Sequence, residues 1–492
     1  MDIPFGEWTP DMPDHSSTNA TEAKNVVPGV KGYKSQNSFA VITSDAISSR
    51  CRGAISVKAN DTTIFGYAGS SIKLYSVGST THTDATNAGG DYNLIDASYW
   101  KFAKWGNQVI ATALQEPPQI ITLGGARFAD LGGSPPKAKY CAVIGDFVVL
   151  AYTDDGTPNP QGMAWSGIND ATTWTPNADT QSDTQTLRSN QQNGGGLITG
   201  LTGSSEYGIV FQEYSLHHFS YVGSPLIFDF KEIFPGVGTQ CPNSITQEGR
   251  LIHFLSQDGF VQISDGINMK RIGDQKVDKW FLDDSNSSFP DRVIAASDPK
   301  DSLVYWIYPD NNSTQGIPNK YICFNWFLDR WSYGEIDLEW LYTSVSIGYT
   351  LEELDSISSS IDALGISLDS QDFRSGLMQL GAYSTDDKKG VLTNTPLSGL
   401  VETGEIQAGS PGRSRVFGVR PLAEKGTSTV QIGYRDLISE TVTYTTAATP
   451  TASTGYADMR NDARYHRFRA NTSGTFDDLL GVDVKIETSG TR

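Results

Sequence analysis

A loose repeat of paired β-type segments constrains the fold of this chain more than any other feature. Each unit begins with a polar or glycine-containing turn, continues with a short apolar run, and is followed by a second run. Six units recur at intervals of roughly 40 to 60 residues, which is the period of four-stranded propeller blades. The first apolar runs of the six units begin at Ile64, Val109, Phe147, Tyr207, Leu251 and Leu303.

This repeat predicts an all-β chain whose main body is a β-propeller of about six blades. Each blade presents a sheet face to the next blade, so a closed ring buries every face except at the rims. The 49 glycines fit a chain with many strands and turns. Because no Trp-Asp or di-glycine signature recurs, a series of two-sheet sandwiches is the alternative fold.

The sequence divides the chain into four parts. Residues 1–50 are expected to form an arm that lies along the body or reaches a neighbour, because prolines interrupt this segment and its periodicity is low. Residues 51–340 are expected to form the propeller. Residues 341–393 are expected to form a last blade or an insertion linker. Residues 394–492 alternate polar and apolar positions, and they predict a small platform domain resembling a β-sandwich.

The net charge of −19 arises entirely before the last hundred residues. From residue 397 onward the chain has 11 basic and 11 acidic residues, whereas the remainder has 26 basic and 45 acidic residues. An acidic body argues against tight binding of nucleic acid, which requires Lys and Arg to displace counterions from phosphates. It does not argue against a surface that nucleic acid passes without being trapped.

No motif in the chain has the spacing of a catalytic, metal or cofactor site. The four cysteines are about a hundred residues apart and fit free thiols near the core of a protein made in a reducing cytoplasm. His217 and His218 are adjacent on a β-type run, so they face opposite ways and are poor co-ligands. No segment approaches the roughly 20 apolar residues of a membrane span. We therefore expect no enzymatic activity, no cofactor and no bound metal.

Short motifs in a fixed order along nearly the whole chain resemble one protein family. The motifs are Trp8-Thr9-Pro10-Asp11, Asn25-Val26-Val27-Pro28-Gly29, Trp100-Lys101-Phe102, Gly106-Asn107-Gln108-Val109, Pro135-Pro136-Lys137-Ala138-Lys139, Trp165-Ser166-Gly167-Ile168-Asn169-Asp170, Leu255-Ser256-Gln257-Asp258-Gly259-Phe260, Asn325-Trp326, Arg330-Trp331-Ser332 and Ala463-Arg464-Tyr465-His466-Arg467-Phe468-Arg469. Their order resembles the tail nozzle proteins of short-tailed bacteriophages, also called tail hub, packaged-DNA stabilisation or tail tubular B-like proteins.

The resemblance implies a structural virion protein of the short tail, assembled in the cytoplasm of the bacterial host. Six copies would form a ring below the portal and the adaptor, or head-to-tail connector, and would carry tail fibre or tip proteins. The ring would line the DNA exit channel, help retain the packaged genome, and conduct double-stranded DNA during ejection without sequence-specific binding. We expect the insertion at 345–376 to narrow the channel; it contains the clearest helix start, Thr350–Asp355.

Four residues are predicted to contribute subunit contacts in such a ring. Trp8 is an aromatic anchor in the N-terminal arm. Arg464, Arg467 and Arg469 lie near one C-terminal strand and would face an acidic neighbouring subunit. A solvated strand edge that blocks further strand pairing is the alternative for the arginines.

A propeller glycosidase or a glycan-binding tail component is the alternative function. The turns at Ser166–Asp170 and Ser256–Phe260 loosely resemble the Asp-boxes of sialidases. The box does not recur in every unit, however, and 56 acidic residues always allow a carboxylate pair to be imagined at catalytic distance.

Overall fold

The computed structural model describes residues 1–15, 17–189, 194–346, 376–408 and 412–490, and the described chain is almost entirely β. The N-terminal segment forms short strands rather than a separate unit. These strands are β1 (Asp2–Pro4), β2 (Ala20–Lys24), β3 (Val26–Pro28), β4 (Tyr33–Ser35) and β5 (Ala40–Val41).

The first five blades are four-stranded antiparallel sheets whose strands pair in chain order. The second strands of these blades are buried, because the faces of a blade pack against its neighbours, whereas outer strands such as that of blade 3 are largely exposed. The strands are β6 (Ala54–Lys58), β7 (Ile64–Gly69), β8 (Leu74–Val77) and β9 (His82–Asp84) in blade 1; β10 (Lys101–Trp105), β11 (Gln108–Thr112), β12 (Gln119–Thr122) and β13 (Ala129–Asp130) in blade 2; β14 (Lys137–Ile144), β15 (Phe147–Asp154), β16 (Pro158–Trp165) and β17 (Asp183–Thr186) in blade 3; β18 (Ile198–Gly203), β19 (Tyr207–Gln212), β20 (Ser215–Gly223) and β21 (Ile227–Pro235) in blade 4; and β22 (Thr246–Glu248), β23 (Leu251–Ser256), β24 (Gly259–Ser264) and β25 (Asn268–Arg271) in blade 5.

Helix α1 (Asp278–Asp284) and a 3-10 turn (Pro290–Arg292) separate blade 5 from the last two blades. Blade 6 consists of β26 (Ile294–Asp298), β27 (Leu303–Tyr308), β28 (Lys320–Asn325) and β29 (Arg330–Glu335). Blade 7 consists of β30 (Trp340–Val345), β31 (Met378–Tyr383) and β32 (Lys389–Val391), with β5 of the N-terminal segment as its outer strand.

The blades form a closed ring. The first strands of most neighbouring blades lie side by side, and blades 4 and 5 pack through Phe211 and Phe254. Strand β6 of blade 1 contacts both β10 of blade 2 and β30 of blade 7. Strand β5 completes blade 7, where Ala40 pairs with Val391 and Val41 pairs with Gly390. Within the described ranges the ring therefore has seven blades. The seventh was not counted in the repeat because it combines strands from two distant parts of the chain.

The remaining strands build the platform together with the N-terminal segment. They are β33 (Gly399–Thr403), β34 (Arg413–Glu424), β35 (Thr427–Arg435), β36 (Thr443–Tyr444), β37 (Ala457–Ala463), β38 (Tyr465–Ser473) and β39 (Asp478–Gly490). One platform sheet has the order β3-β4-β39-β34-β37, with β1 also paired to β39. The second runs β2-β33-β38-β35-β36 and continues blade 6 through β29, which gives an extended sheet of nine strands among the described residues.

A single hydrophobic core continues from the propeller into the platform. It contains Phe260 and Trp331 from blades 5 and 6, Trp8 from the N-terminal segment, and Val416 and Phe468 from the platform. The two parts are therefore joined by a shared sheet and a shared core. The predicted helix start at Thr350–Asp355 lies outside the described residues, as does most of the predicted channel loop at 345–376.

Candidate functional site

Trp8 lies at the junction between the propeller and the platform, where it is 1% exposed. Its ring stacks on Tyr333 with centroids 4.8 Å apart, and it meets the edge of Trp280 at 4.9 Å. Its Nε1 donates a hydrogen bond to the carbonyl oxygen of Thr21 at 3.3 Å. The ring of Trp8 is thus enclosed by its own chain, and its role as a subunit contact stays a prediction.

Asp11, three residues after Trp8, binds the first turn of helix α1. The backbone N–H groups of Lys279 and Trp280 donate to the Asp11 carboxylate, both at 2.8 Å. These N–H groups belong to the first turn of α1, which has no side-chain cap of its own at Val277. Asp11 thus caps the helix from a distant part of the chain and fastens the N-terminal segment to the propeller.

Arg330 fastens a second part of the N-terminal segment to blade 6. Its guanidinium donates to the carbonyl oxygens of Gly29 and Gly6, both at 2.9 Å, and lies over the ring of Tyr33. Two motifs of the N-terminal segment, Trp8–Asp11 and Asn25–Gly29, meet here a third, Arg330–Ser332, which lies about three hundred residues later in the chain. We call this set the junction; its members are Trp8, Asp11, Trp280, Arg330 and Tyr333.

The predicted arginines lie on or next to β38, and two of them pair with carboxylates of the same chain. Arg469 donates to Glu402 at 2.7 Å, whereas Arg467 contacts Asp14 at 2.9 Å and approaches Glu405 to 3.6 Å. Arg467 is 8% exposed in the single chain, and its role as a subunit contact stays a prediction. Arg464 and Arg469 are only partly buried and stay predictions as subunit contacts.

Glu402 and Glu405 are the buried acceptors that neutralise this cationic row, and their side chains are each 1% exposed. Arg435 binds Glu405 through two hydrogen bonds of 2.6 and 2.9 Å. Burial opposes the ionisation of Glu405, but Arg435 and Arg467 outweigh it and hold the pKa of this carboxyl below its usual range. No sequence motif indicates these partners, because Glu402 and Glu405 are far from β38 in the chain.

A second polar site crosses the axis of the propeller at one mouth of the ring. Lys101 at the start of β10 donates to the Oδ1 atom of Asn243, just before β22, at 2.8 Å. These residues belong to blades 2 and 5, so the bond between them spans the axis. Asn243 donates in turn to the carbonyl oxygen of Asp291 at 2.7 Å, and the hydroxyl of Tyr99 donates to the Asp291 carboxylate at 2.7 Å.

Three arginines extend this network around Asp96. Arg50, Arg52 and Arg292 approach the Asp96 carboxylate to 3.2, 3.3 and 3.2 Å. Burial opposes the charge of Asp96, but the three guanidinium groups prevail and lower the pKa of this carboxyl. We call the whole network the axial cluster; its members are Arg50, Arg52, Asp96, Tyr99, Lys101, Lys139, Asn243, Asp291 and Arg292. No local sequence motif indicates the axial cluster, because its residues come from blades 1, 2, 3, 5 and 6.

A groove of about 620 Å³ lies between the N-terminal segment, blade 6 and blade 7. Gln36 accepts a hydrogen bond from Tyr305 at 2.8 Å on its inner side, and Phe327, which is 80% exposed, stands at its rim. Burial, assisted by repulsion from Asp301, raises the pKa of the lining residue Asp298 to about 6. The groove is mixed in character, with both carboxylates and lysines in its lining.

The two turns that resemble Asp-boxes use their carboxylates locally. Asp170 accepts hydrogen bonds from the backbone N–H and the hydroxyl of Thr172, and Asp258 pairs with Arg271 at 3.2 Å on the surface. Across the described ranges, no group of three or more His, Cys, Asp or Glu side chains is arranged to hold a metal ion. No helix in the described part of the chain has the length and apolar character needed to span a membrane.

The class of protein follows from the strand order and the closed ring: the chain is an all-β propeller with a β-sandwich-like platform. No family model and no curated protein matches the sequence. Among solved structures, the computationally designed Ika8 protein is similar with a TM-score of 0.37 and 8% identity, over 73% of this chain and 99% of that one. YCF48 bound to D1 peptide is similar with a TM-score of 0.35 and 11% identity, over 63% of this chain and 86% of that one. Similarity at this level carries no argument about function.

Proposed function

We propose that this chain is the nozzle subunit of a short bacteriophage tail, and that six copies form a ring below the portal and adaptor. The junction carries this proposal. The motifs that resemble nozzle proteins are distant in the chain, and three of them meet at the junction in one buried contact between propeller and platform. The resemblance therefore involves residues that fix the shape of the whole subunit.

A rigid subunit suits a ring that holds back a packaged genome. Domains joined by ordinary interfaces move relative to one another unless the interface is large and apolar. Here the extended sheet passes from blade 6 into the platform through β2, and both parts share one core. A load on the platform is thereby transmitted to the propeller through paired backbone and packed aromatic side chains.

The charge of the chain agrees with the passage of DNA through such a ring. The excess of acidic residues lies before residue 397, so most of the chain repels the phosphate backbone. We propose that double-stranded DNA passes the ring transiently without sequence-specific binding. The adaptor and the tail fibres or tip are the proposed protein partners, and the virion tail is the proposed location.

Immunolabelling of virus particles tests the proposal directly. We expect an antibody against this chain to label the distal end of a short tail in negative-stain micrographs, and quantitative mass spectrometry to give six copies per particle. Absence of label from both intact and opened particles would discard the proposal, as would a copy number incompatible with a ring.

A matched pair of variants tests whether the junction serves this function. Asp11→Ala removes the distant cap of α1, whereas Asp258→Ala removes an exposed carboxylate that pairs with Arg271 on the surface. We expect particles carrying Asp11→Ala to lose packaged DNA and infectivity, and those carrying Asp258→Ala to resemble wild type. Equal DNA retention in both would show that the junction is not needed for this role.

Chromogenic glycosides test the alternative of a propeller glycosidase. We expect no turnover by the purified chain. Saturable hydrolysis that is lost on replacing one carboxylate would instead favour the alternative.

A further inference from the structure

The axial cluster holds more positive than negative charge, although the chain as a whole is acidic. Its cations are Arg50, Arg52, Lys101, Lys139 and Arg292, and its carboxylates are Asp96 and Asp291. Glu339 lies near the arginines, but burial and repulsion by Asp387 raise its pKa to about 7, so its charge is partial at neutral pH. A cationic mouth on a chain of net charge −19 is not accounted for by the fold alone.

The two lysines are the least compensated members of the cluster. Lys101 donates to the neutral amide of Asn243, and no carboxylate lies within ion-pair distance of Lys101 or Lys139 in the part of the chain that the structure describes. Both side chains keep partial solvent exposure. Burial and the charge of Lys139 lower the pKa of Lys101 to about 8, with Cys141 acting weakly in the opposite direction. Cys141, two residues from Lys139 on β14, donates to the carbonyl oxygen of Lys101 at 3.4 Å, so the two lysines lie on adjacent strands. Asp291 acts on Lys139 from beyond ion-pair distance.

Two arginines of the cluster also have a donor without a hydrogen bond. The Nε atoms of Arg52 and Arg292 are buried and make no hydrogen bond within the described residues, although the Nε of Arg292 lies 3.7 Å from the Asp291 carboxylate. Their side chains are 10% and 9% exposed. Buried donors without acceptors are costly, so native proteins normally provide a partner, an ordered water or a bound ion for them.

We propose that the axial cluster binds a phosphate group, free or carried by a small ester, between Lys101 and Lys139 at the mouth of the propeller. The cluster has five cations, and Asp96 and Asp291 supply only two negative charges. A ligand carboxylate would add only one more negative charge to these two. A tetrahedral dianion instead offers several oxygens, which can accept from donors on different blades at once. This inference stands on the propeller alone and is independent of the proposed role in a phage tail.

Replacement of each lysine by glutamine tests the site, with a matched control on the same strand. The variants are Lys101→Gln and Lys139→Gln, and the control is Lys137→Gln. Lys137 is exposed on β14, two residues from Lys139, and its ammonium donates to the carbonyl oxygen of Gln115 at 2.7 Å. The melting temperature of the full chain is measured while inorganic phosphate replaces chloride at constant ionic strength, and affinity is measured by calorimetry.

We expect phosphate to raise the melting temperature of the wild-type chain and of Lys137→Gln, because a ligand that binds the folded state stabilises it. Affinity should fall at least about tenfold in Lys101→Gln and in Lys139→Gln, since each loses a charge-assisted hydrogen bond. In chloride both variants should be as stable as wild type or more so, because an uncompensated cation is removed from a poorly solvated site. Loss of binding is then separable from loss of folding.

Two results would overturn the proposal: a wild-type melting temperature that is independent of phosphate, or an equal shift in all four proteins. Glycerol phosphate, with glycerol as its control, distinguishes the sources of the group. Binding of inorganic phosphate alone assigns the site to the free ion. Binding of both assigns it to phosphate esters as well, and binding of neither contradicts the site.

Discussion

The propeller and the platform are both built from mainly antiparallel sheets, but they differ in how far apart in the sequence the paired strands lie. In blades 1 to 5 the strands pair with their neighbours in sequence, so each blade is a local unit. In the platform, β1 pairs with β39 and β2 pairs with β33, which joins the two ends of the chain. Local strand pairing therefore determines the structure of the blades, whereas the junction and the buried ion pairs hold the platform in place.

The largest expected effect comes from removing the aromatic anchor of the junction. We expect Trp8→Ala to lower the free energy of unfolding by about 4 kcal/mol, because a fully buried tryptophan is replaced by a cavity. Hydrogen exchange should then increase in the platform and in blades 5 and 6 together. Trp174→Ala, in a turn of blade 3, is the control and should affect exchange only in blades 2 and 3. An increase in exchange that is confined to the surroundings of residue 8 would show that the platform does not depend on this anchor.

The second effect concerns the buried charges of the platform. Glu402→Ala leaves Arg469 without its buried partner and removes one of the three carboxylates near Arg467, and we expect a loss of about 3 kcal/mol in urea unfolding. The exposed pair between Lys24 and Glu335, 2.6 Å apart, provides the control. Glu335→Ala should cost less than about 1 kcal/mol. Similar losses in both variants would show that burial does not set the strength of the platform pairs.

A pH-dependent loss of stability is expected at His466 in the platform. Burial lowers the pKa of this imidazole to about 4, against a partial offset by Asp462 and Asp436. The unfolded chain binds a proton below about pH 6.5 and the folded chain does not, so stability is complete above that pH and falls as the pH approaches 4. We expect about 2 kcal/mol of this loss to disappear in His466→Gln. Parallel pH profiles for the two proteins would contradict the assignment.

The smallest expected effect tests the closure of the ring by the N-terminal segment. Thr43 follows β5, and its hydroxyl accepts a buried hydrogen bond from the backbone of Lys389 at 3.0 Å. Thr43→Val leaves that N–H group unsatisfied, so we expect a loss of about 1 kcal/mol and faster amide exchange in blade 7. Thr81→Val, at an exposed turn position, should change stability by less than about 0.5 kcal/mol. Unchanged exchange in blade 7 would show that β5 does not hold the ring closed.

The propeller could be predicted because strands that pair with their sequence neighbours give a recurring pattern of turns and apolar runs. Turns and apolar runs recur wherever strands pair with their neighbours, and the all-β propeller class was confirmed. The seventh blade left a weaker trace, since Ala40 and Val41 belong to a two-residue strand without periodicity. The repeat therefore predicted about six blades, whereas the described structure has seven.

The functional residues were harder to predict because their partners are distant in the chain. Trp8 was recognised as an anchor, but nothing in the sequence shows that it packs on Tyr333. The row of arginines was visible, yet its neutralisation by Glu402 and Glu405 depends on the pairing of β33 with β38. The axial cluster left no sequence signal, because each blade contributes only one or a few of its residues.

The pairing of β1 with β39 in the platform affects the order of events during protein synthesis. Ile3 and Phe5 leave the ribosome long before β39, the strand that pairs with β1. At the usual rate of translation these segments are separated by roughly half a minute or more. Blades 1 to 5 have all their strands before β39 emerges, whereas β1 still lacks β39 and β2 gains β33 only late. The platform therefore completes folding only after β39 has emerged, and a ribosome that stops before β33 releases a chain in which β1 and β2 lack their platform partners.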